Sequence, residues 1–327
     1  MPKVSVCIPV YNVEKYIERC ARSLFEQTMK DDIEFIFVDD CTPDKSMEIL
    51  EKVLAEYPAR KKQVAILHHE KNKGLVGARN TALKVANGDY IIHCDSDDWV
   101  ELDMCEKLYN RAQETDSDMV YCSHCLEYSE RKSMKINLRD RLDVNSIVYW
   151  MSKDQAYQSL CTKMYKRSIA KAESIYSPEH ICMNEDFLRN IQMLLMCRKI
   201  SCVSESLYHY RVNIQSISKQ WKKRDLDNLL EIVDYLEKNL CFEKYADAIE
   251  SYKYLTLAIA VRHSEIINPA EFKPMANRLL RDSHVSFRNL DSKKLLVEIS
   301  RKNYFYGKKL IDFYLILKKI YYAIKIR

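Results

Sequence analysis

The first third of the chain alternates short apolar runs with amphipathic stretches at helical spacing. Val4–Val10, Glu34–Asp39, Val64–His69 and Asp89–Cys94 read as strands. Between them Glu14–Gln27, Ser46–Tyr57 and Val76–Val85 read as helices, the first with Tyr16, Ile17, Cys20 and Leu24 along one face. Strands that alternate with helices predict a parallel sheet with right-handed crossovers, whose ligands bind beyond the carboxyl ends of the strands. Polar residues gather at those ends: Pro9 to Asn12 after the first strand, Asp39 to Asp44 after the second, Glu70 to Gly74 after the third, and Asp95 to Asp98 after the fourth.

A further strand is expected at Asp118–Cys125, after which the alternation stops over the polar stretch Glu127–Arg141. There follow a helix near Ser146–Met151, an amphipathic segment at Leu160–Ile169, a helix from Glu185 and a strand-like run at Ile200–Tyr210. Beyond Lys219 the pattern is helical with few breakers. The expectation is therefore an α/β domain over residues 1–218 and a helical region over 219–327, divided by a shift in composition.

Hydrophobic residues at 47% and charged residues at 30% describe an ordinary globular chain. Of its four glycines, Gly74, Gly77 and Gly88 lie in the first third, which makes that region the place for close backbone work around a ligand. Twelve scattered cysteines without a signal peptide predict a reducing, cytoplasmic setting and small core residues rather than a disulfide framework. Cys122 and Cys125 form a Cys-x-x-Cys without a second pair at zinc-finger spacing. Residues 301–327 carry eight Lys or Arg against one acid, a charge of +7, which leaves −2 for the rest of a chain whose net charge is +5. By charge, the body is not a nucleic-acid-binding surface.

The fourth strand ends in three carboxylates within four residues, Asp95, Asp97 and Asp98. Like charges so close call for a cation, and all-oxygen donors suit a hard divalent ion, Mg2+ or Mn2+. On an extended backbone Asp95 and Asp97 would point to the same side and reach one ion. The plainer alternative is a solvated acidic turn capping a helix that starts near Leu102.

Taken together, Val6 to Asn12, Val38 to Asp44, Asn72 to Asn80, Asp95 to Asp98, Asn184 to Phe187 and Leu207 to Arg211 resemble the family 2 glycosyltransferases of the GT-A fold over residues 3–217. These are inverting enzymes that use nucleotide-diphosphate sugars. The resemblance implies a Rossmann-like, mostly parallel sheet with a nucleotide-binding half over 1–128 and an acceptor-binding half over 129–218. It implies a hexosyl- or N-acetylhexosaminyltransferase acting on a glycan or lipid-linked acceptor, with a UDP-sugar as donor.

By the same resemblance Pro9, Tyr11 and Asn12 line the nucleotide, with Tyr11 along the base, and Asp40 or Asp39 accepts the N–H of a pyrimidine. Arg79 and Ser96 join the nucleotide site, Arg79 facing base or diphosphate. Asp95 and Asp97 hold the metal, Asp98 being a third candidate. Asp186 is the base that takes the acceptor proton, Glu185 being the neighbour most easily confused with it. Glu185 and Arg211 are expected at phosphate or acceptor, Asp95 also borders the nucleotide, and His209 is a further candidate for metal or diphosphate. Each residue also has a structural reading: a core tyrosine, helix caps, an arginine paired with an acid, a packed histidine. The chain departs from the commoner pattern at Cys41, where glycine usually stands.

In the last segment Leu310, Phe313, Leu317, Ile320, Tyr321 and Ile324 form one helical stripe, with Lys308, Lys309, Lys319 and Arg327 opposite. Such a basic amphipathic helix is expected either on anionic lipid at the inner face of the cell membrane or docked on the body or a partner. Two other functions share parts of this pattern. A sugar-phosphate nucleotidyltransferase would want a Gly-rich basic loop after the first strand, which Pro9 to Asn12 is not, and a non-catalytic nucleotide-sugar binder would not need every carboxylate.

Overall fold

The computed structural model describes residues 1–325 except 130, 141, 154, 174, 176, 177, 213–220, 264, 265 and 282–291. They fall into two compact units, Met1–Ile147 with Ala156–Asn213, and a second made of Val148–Gln155 and the chain from Ile214 on. The expected boundary at 218 lies outside the described residues.

The first unit begins with β1 (Val4–Val10), α1 (Ile17–Phe25), β2 (Ile33–Asp39), α2 (Ser46–Glu56), β3 (Val64–His68), α3 (Gly74–Val85) and β4 (Tyr90–His93). It continues with β5 (Trp99–Val100), α4 (Met104–Thr115), β6 (Met119–Ser129), β7 (Lys132–Ile136) and the start of α5 (Val144–Lys153), whose residues from Val148 on belong to the second unit. β8 (Lys163–Lys166), α6 (Arg167–Ala170), α7 (Glu185–Met196) and β9 (Ile200–Arg211) complete it. The sheet order is β3-β2-β1-β4-β8-β6-β9-β5, with β7 on β6.

From β3 to β4 all pairs are parallel. β1 is buried at every position, as expected of a central strand covered on both faces. Its Pro9, which has no N–H to give, lies past the last β1–β4 pair, Cys7 with His93. On one side Val6, Ile8, Phe35 and Phe37 pack against Ile17, Cys20, Leu24 and Phe25 of α1, with Phe25 edge-on to Phe35 at 5.7 Å.

Beyond β4 the sheet becomes mixed. The four-residue β8 inserts antiparallel between β4 and β6, whereas β9 runs parallel to β6. The segment at 160–169, read from sequence only as amphipathic, is thus a short strand followed by one helical turn. Where the alternation was expected to stop, β6 continues to Ser129 and folds back as β7. The paired strands are polar there because little packs on them.

The second unit is helical: α8 (Lys223–Asn239), α9 (Phe242–Arg262), α10 (Pro269–Leu279), α11 (Ser292–Lys302) and α12 (Tyr304–Lys325). Leu229, Ile232, Val233 and Leu236 of α8 and Tyr252, Leu257 and Ala260 of α9 are buried. Asn268 caps α10 by accepting from the Glu271 N–H at 2.9 Å, ahead of Pro269 in the first turn. On α12 the buried face is Tyr304, Gly307 and Ile311, whereas Phe305, Tyr306, Phe313, Ile316 and Leu317 are exposed. The side chains of the expected stripe from Lys319 to Arg327 lie outside the described residues. Among the described residues no helix is long and apolar enough to cross a membrane.

Candidate active site

The acidic end of β4 is a turn, not the extended backbone expected from the sequence. The Cys94 N–H still bonds the Cys7 carbonyl at 3.0 Å, after which the Asp98 N–H closes on the Asp95 carbonyl at 3.1 Å and the chain enters β5. Helix α4 follows at Met104 rather than near Leu102. The turn gives the three carboxylates different surroundings.

Asp98 is buried and committed to the fold. One oxygen accepts from the Tyr208 hydroxyl at 2.6 Å and the other from the Arg211 N–H at 2.7 Å, tying the turn to β9. Burial and the charges of Asp97 and Asp95 push its carboxyl well above the usual range. Asp97 is pushed up to about 6 by burial and by Asp95. Asp95 accepts from Arg79 Nη2 at 2.8 Å, and its N–H donates to the Tyr208 hydroxyl at 3.2 Å. Ser96 is buried between them in sequence.

Arg79 connects this turn to α7. Its Nη1 donates to Glu185 Oε1 at 3.1 Å and to Asp186, so three carboxylates surround a guanidinium only 2% exposed. Among the described residues, buried Nε has no hydrogen-bond partner. In this arrangement Arg79 pairs with carboxylates, the Nη1 N–H groups going to Glu185 and Asp186 and one Nη2 N–H to Asp95. Glu185 and Asp186 occupy the first turn of α7 behind Asn184, whose φ of 57° is one that Asn tolerates. Asp186 also accepts from the Leu160 N–H at 3.2 Å. Its side chain is 24% exposed against 16% for Glu185, whose carboxyl is raised by burial and by the charge of Asp186.

In the sheet order β1 lies next to β4, and β2 next to β1. Asp40 is buried, and its oxygens accept from the Lys73 N–H at 2.7 Å and the Gly74 N–H at 2.8 Å, capping α3. His69 joins it at 2.7 Å and reaches Thr81 at 2.8 Å through its other nitrogen. Gly74 opens α3 with a φ of 74°, which a side chain would strain. Asp39 is more open, accepting from the Thr42 N–H at 2.8 Å and facing His68 at 3.0 Å. The geometry makes Asp40 the structural member of the pair and Asp39 the accessible one.

Tyr11 is 49% exposed beside Asn12, whose N–H donates to Thr42 Oγ1 at 2.8 Å. Cys41 has a φ of 56°, so the glycine usual there would meet a real backbone need.

On β9 the two expected residues part. Arg211 stays at the turn, its Nε donating to the Asp97 carbonyl at 3.2 Å and its guanidinium over the Tyr16 ring at 4.7 Å. His209 turns elsewhere: Nδ1 meets Glu127 at 2.8 Å and Nε2 meets Glu101 at 2.9 Å. Its imidazole is thus engaged by carboxylates other than those of the acidic turn.

Two contributors escaped the sequence reading. Tyr208 ties Asp95 to Asp98 through one hydroxyl, and its place next to His209 was the available signal. Buried Lys163, lowered by burial to about 8, donates to the Tyr157 and Ser159 carbonyls at 2.7 and 2.5 Å, shaping the loop that presents the Leu160 N–H. An isolated lysine in a strand carries no signal of such a role.

The profile of glycosyl transferase family 2 matches residues 5–177. The putative glycosyltransferase EpsH of Bacillus subtilis is 31% identical over 288 residues, 85% of this chain and 80% of that protein. Poly(ribitol-phosphate) beta-N-acetylglucosaminyltransferase TarS of Staphylococcus aureus is 32% identical over 216 residues, 64% of this chain but only 35% of TarS. The structure of TarS 1–349 in complex with UDP-GlcNAc superposes with a TM-score of 0.64 at 21% identity, covering 92% of this chain and 91% of that one, which shows a shared fold. On the profile match over more than half of its length and the similarity to EpsH, the chain belongs to glycosyl transferase family 2.

Proposed function

We propose that this protein transfers a hexose or N-acetylhexosamine from a UDP-sugar to a hydroxyl of a glycan or lipid-linked acceptor in polysaccharide synthesis, with inversion at the anomeric carbon. The observation that carries this reading is the buried Arg79, which joins Asp95 of the acidic turn to Glu185 and Asp186 of α7 in one network. This network supports a leaving-group side at Asp95 and an acceptor side at Asp186, both in contact with one guanidinium.

In this reading the half-exposed Tyr11 ring stacks on the base, and Asp39 accepts the uracil N–H while Asp40 holds the α3 entrance. Asp186 takes the proton from the acceptor hydroxyl as its oxygen attacks the anomeric carbon, and the bond from that carbon to the β-phosphate oxygen breaks on the opposite face. Asp186 suits the task better than Glu185 because it is the more open to the acceptor side. Arg211, held at the turn, supplies positive charge toward the phosphates.

Asp97 and Asp95 fit a divalent cation. Both offer oxygen, and the raised Asp97 carboxyl marks negative charge that the fold leaves uncompensated. Asp98, with both oxygens bonded, is the least available of the three. Bound there, Mn2+ or Mg2+ supplies charge neutralisation for the departing diphosphate.

TarS, which shares the fold, has been crystallised with UDP-GlcNAc, and this supports UDP-GlcNAc as the donor to try first. The exposed apolar side chains of α12, together with the basic residues of 301–327, support peripheral attachment to anionic lipid. A panel of nucleotide sugars assayed for nucleoside diphosphate release, with and without Mn2+ or Mg2+, tests the reading. No release from any donor sinks it, and undiminished release without metal removes the role given to Asp95 and Asp97. Asp186→Asn is expected to slow transfer by roughly 10²–10⁴-fold while UDP binding stays unchanged.

A further inference from the structure

His209 does not join the acidic turn, yet both of its nitrogens are engaged, and the residue opposite it is a cysteine. Cys125 and His209 are register partners on the parallel strands β6 and β9, and Glu127 lies two residues beyond Cys125 on the same face. One ligand atom from each of the three residues lies within 4.8 Å of the others. All three are shielded, Cys125 being 5% exposed and the His209 and Glu127 side chains 14% and 13%. The arrangement is not drawn from a Cys-x-x-Cys spacing: Cys122, the other cysteine of that motif, takes no part.

We propose that Cys125, Glu127 and His209 bind a zinc ion through Sγ, a carboxylate oxygen and Nδ1, leaving a fourth position for water. The donor set is the argument for the metal. A thiolate, an imidazole and a carboxylate suit Zn2+ in tetrahedral geometry, whereas the all-oxygen turn suits Mg2+ or Mn2+. A second observation is independent of the three ligands. Nε2, the nitrogen turned away from the cluster, meets Glu101 Oε1 at 2.9 Å, and metal-bound histidines commonly donate their second N–H to a carboxylate in this way. Trp99 stacks on the same imidazole at 5.1 Å with 10° between the planes, fixing its orientation.

The thiolate and carboxylate offset the charge of the ion, and binding displaces the thiol proton and the proton shared by His209 and Glu127. The consequence is mechanical. The ion clamps β6 to β9 just beyond the register shifts at Cys122 to His124, and β9 carries the Tyr208 hydroxyl and the Arg211 N–H that hold Asp98. Zinc here is a positioning element that holds β9 to the turn, and it takes no part in the sugar transfer.

The test uses the full chain carrying Cys182→Ser and Cys241→Ser, which removes two exposed thiols. This protein is stripped with a chelator, loaded with Zn2+, desalted and assayed by atomic spectrometry. About one zinc per chain is expected, weakened at least tenfold by Cys125→Ser, weakened roughly 10–100-fold by Glu101→Gln, and unaffected by Asp97→Asn. Loading with Co2+ should add a thiolate-to-cobalt charge-transfer absorption that Cys125→Ser abolishes. If Cys125→Ser does not fold, Glu127→Gln replaces it in the zinc measurement. Sub-stoichiometric zinc, equal retention by the ligand variant, or cobalt spectra without the thiolate band would each overturn the proposal. None of these readouts depends on finding the sugar donor.

Discussion

Three aspartates within four residues have three different tasks, and burial decides among them. Asp98 is locked between Tyr208 and Arg211, Asp95 is paired with Arg79, and Asp97, whose ionisation the fold opposes as it does that of Asp98, is not bonded in that way. Its folded-state value of about 6 lies above the ordinary 3.8, so ionising it costs the folded state free energy that grows as the pH rises from about 4 through about 6. Asp97→Asn is therefore expected to stabilise the metal-free protein by roughly 1–3 kcal/mol near pH 7.5, and by much less near pH 4. Denaturant unfolding at both pH values checks this, and a gain independent of pH would assign the effect to something other than charge. Mn2+ or Mg2+ should stabilise the parent more than the variant, because only the parent keeps both carboxylates.

At the scale of elements, the site is a junction of α3, the turn after β4 and the start of α7, and Arg79 is the joint. Its guanidinium answers carboxylates from two segments far apart in sequence. Arg79→Met leaves these acids to repel one another in a half-buried place, and a loss of roughly 3–5 kcal/mol in unfolding free energy is expected. Arg79→Lys retains the charge but loses the fork, and should recover only part of that stability. A neutral Arg79→Met would mean that the acids find other partners and that the joint lies elsewhere. The elements themselves were largely legible in the sequence. β1 to β4 and the helices between them follow from local periodicity, and the start of α7 at Glu185 follows from its first-turn acids. β8 was not legible, because a four-residue strand becomes one only by pairing with β4 and β6, from which it is far in sequence. The turn at 95–98 was misread as extended for a related reason: its closure depends on anchors supplied by β9.

At the scale of the whole molecule, the helical unit matters for what it presents to its surroundings. Phe313, Ile316 and Leu317 are each about half exposed on α12, while Tyr304 and Ile311 hold the helix in its own unit. Because those three side chains contribute little to the fold, the combined change Phe313→Ser, Ile316→Ser and Leu317→Ser is expected to leave the melting temperature nearly unchanged. It should weaken binding to vesicles containing anionic lipid by at least roughly tenfold, given about 1.5–3 kcal/mol for each large side chain fully buried. Binding that is indifferent to these changes would turn the surface into a docking site for protein.

The sequence by itself determined the class of sheet, the order of the strand-end motifs and the family they resemble, since those rest on side chains close together along the chain. Tertiary structure alone decided the assignment among like neighbours. Asp40 caps α3 while Asp39 is more open, Asp98 has both oxygens bonded to β9 while Asp97 does not, and His209 meets Glu127 and Glu101 rather than the acidic turn. Adjacent carboxylates are chemically identical in a sequence. What separates them is burial and the hydrogen bonds each receives, and those come from partners that only the folded sheet brings within reach.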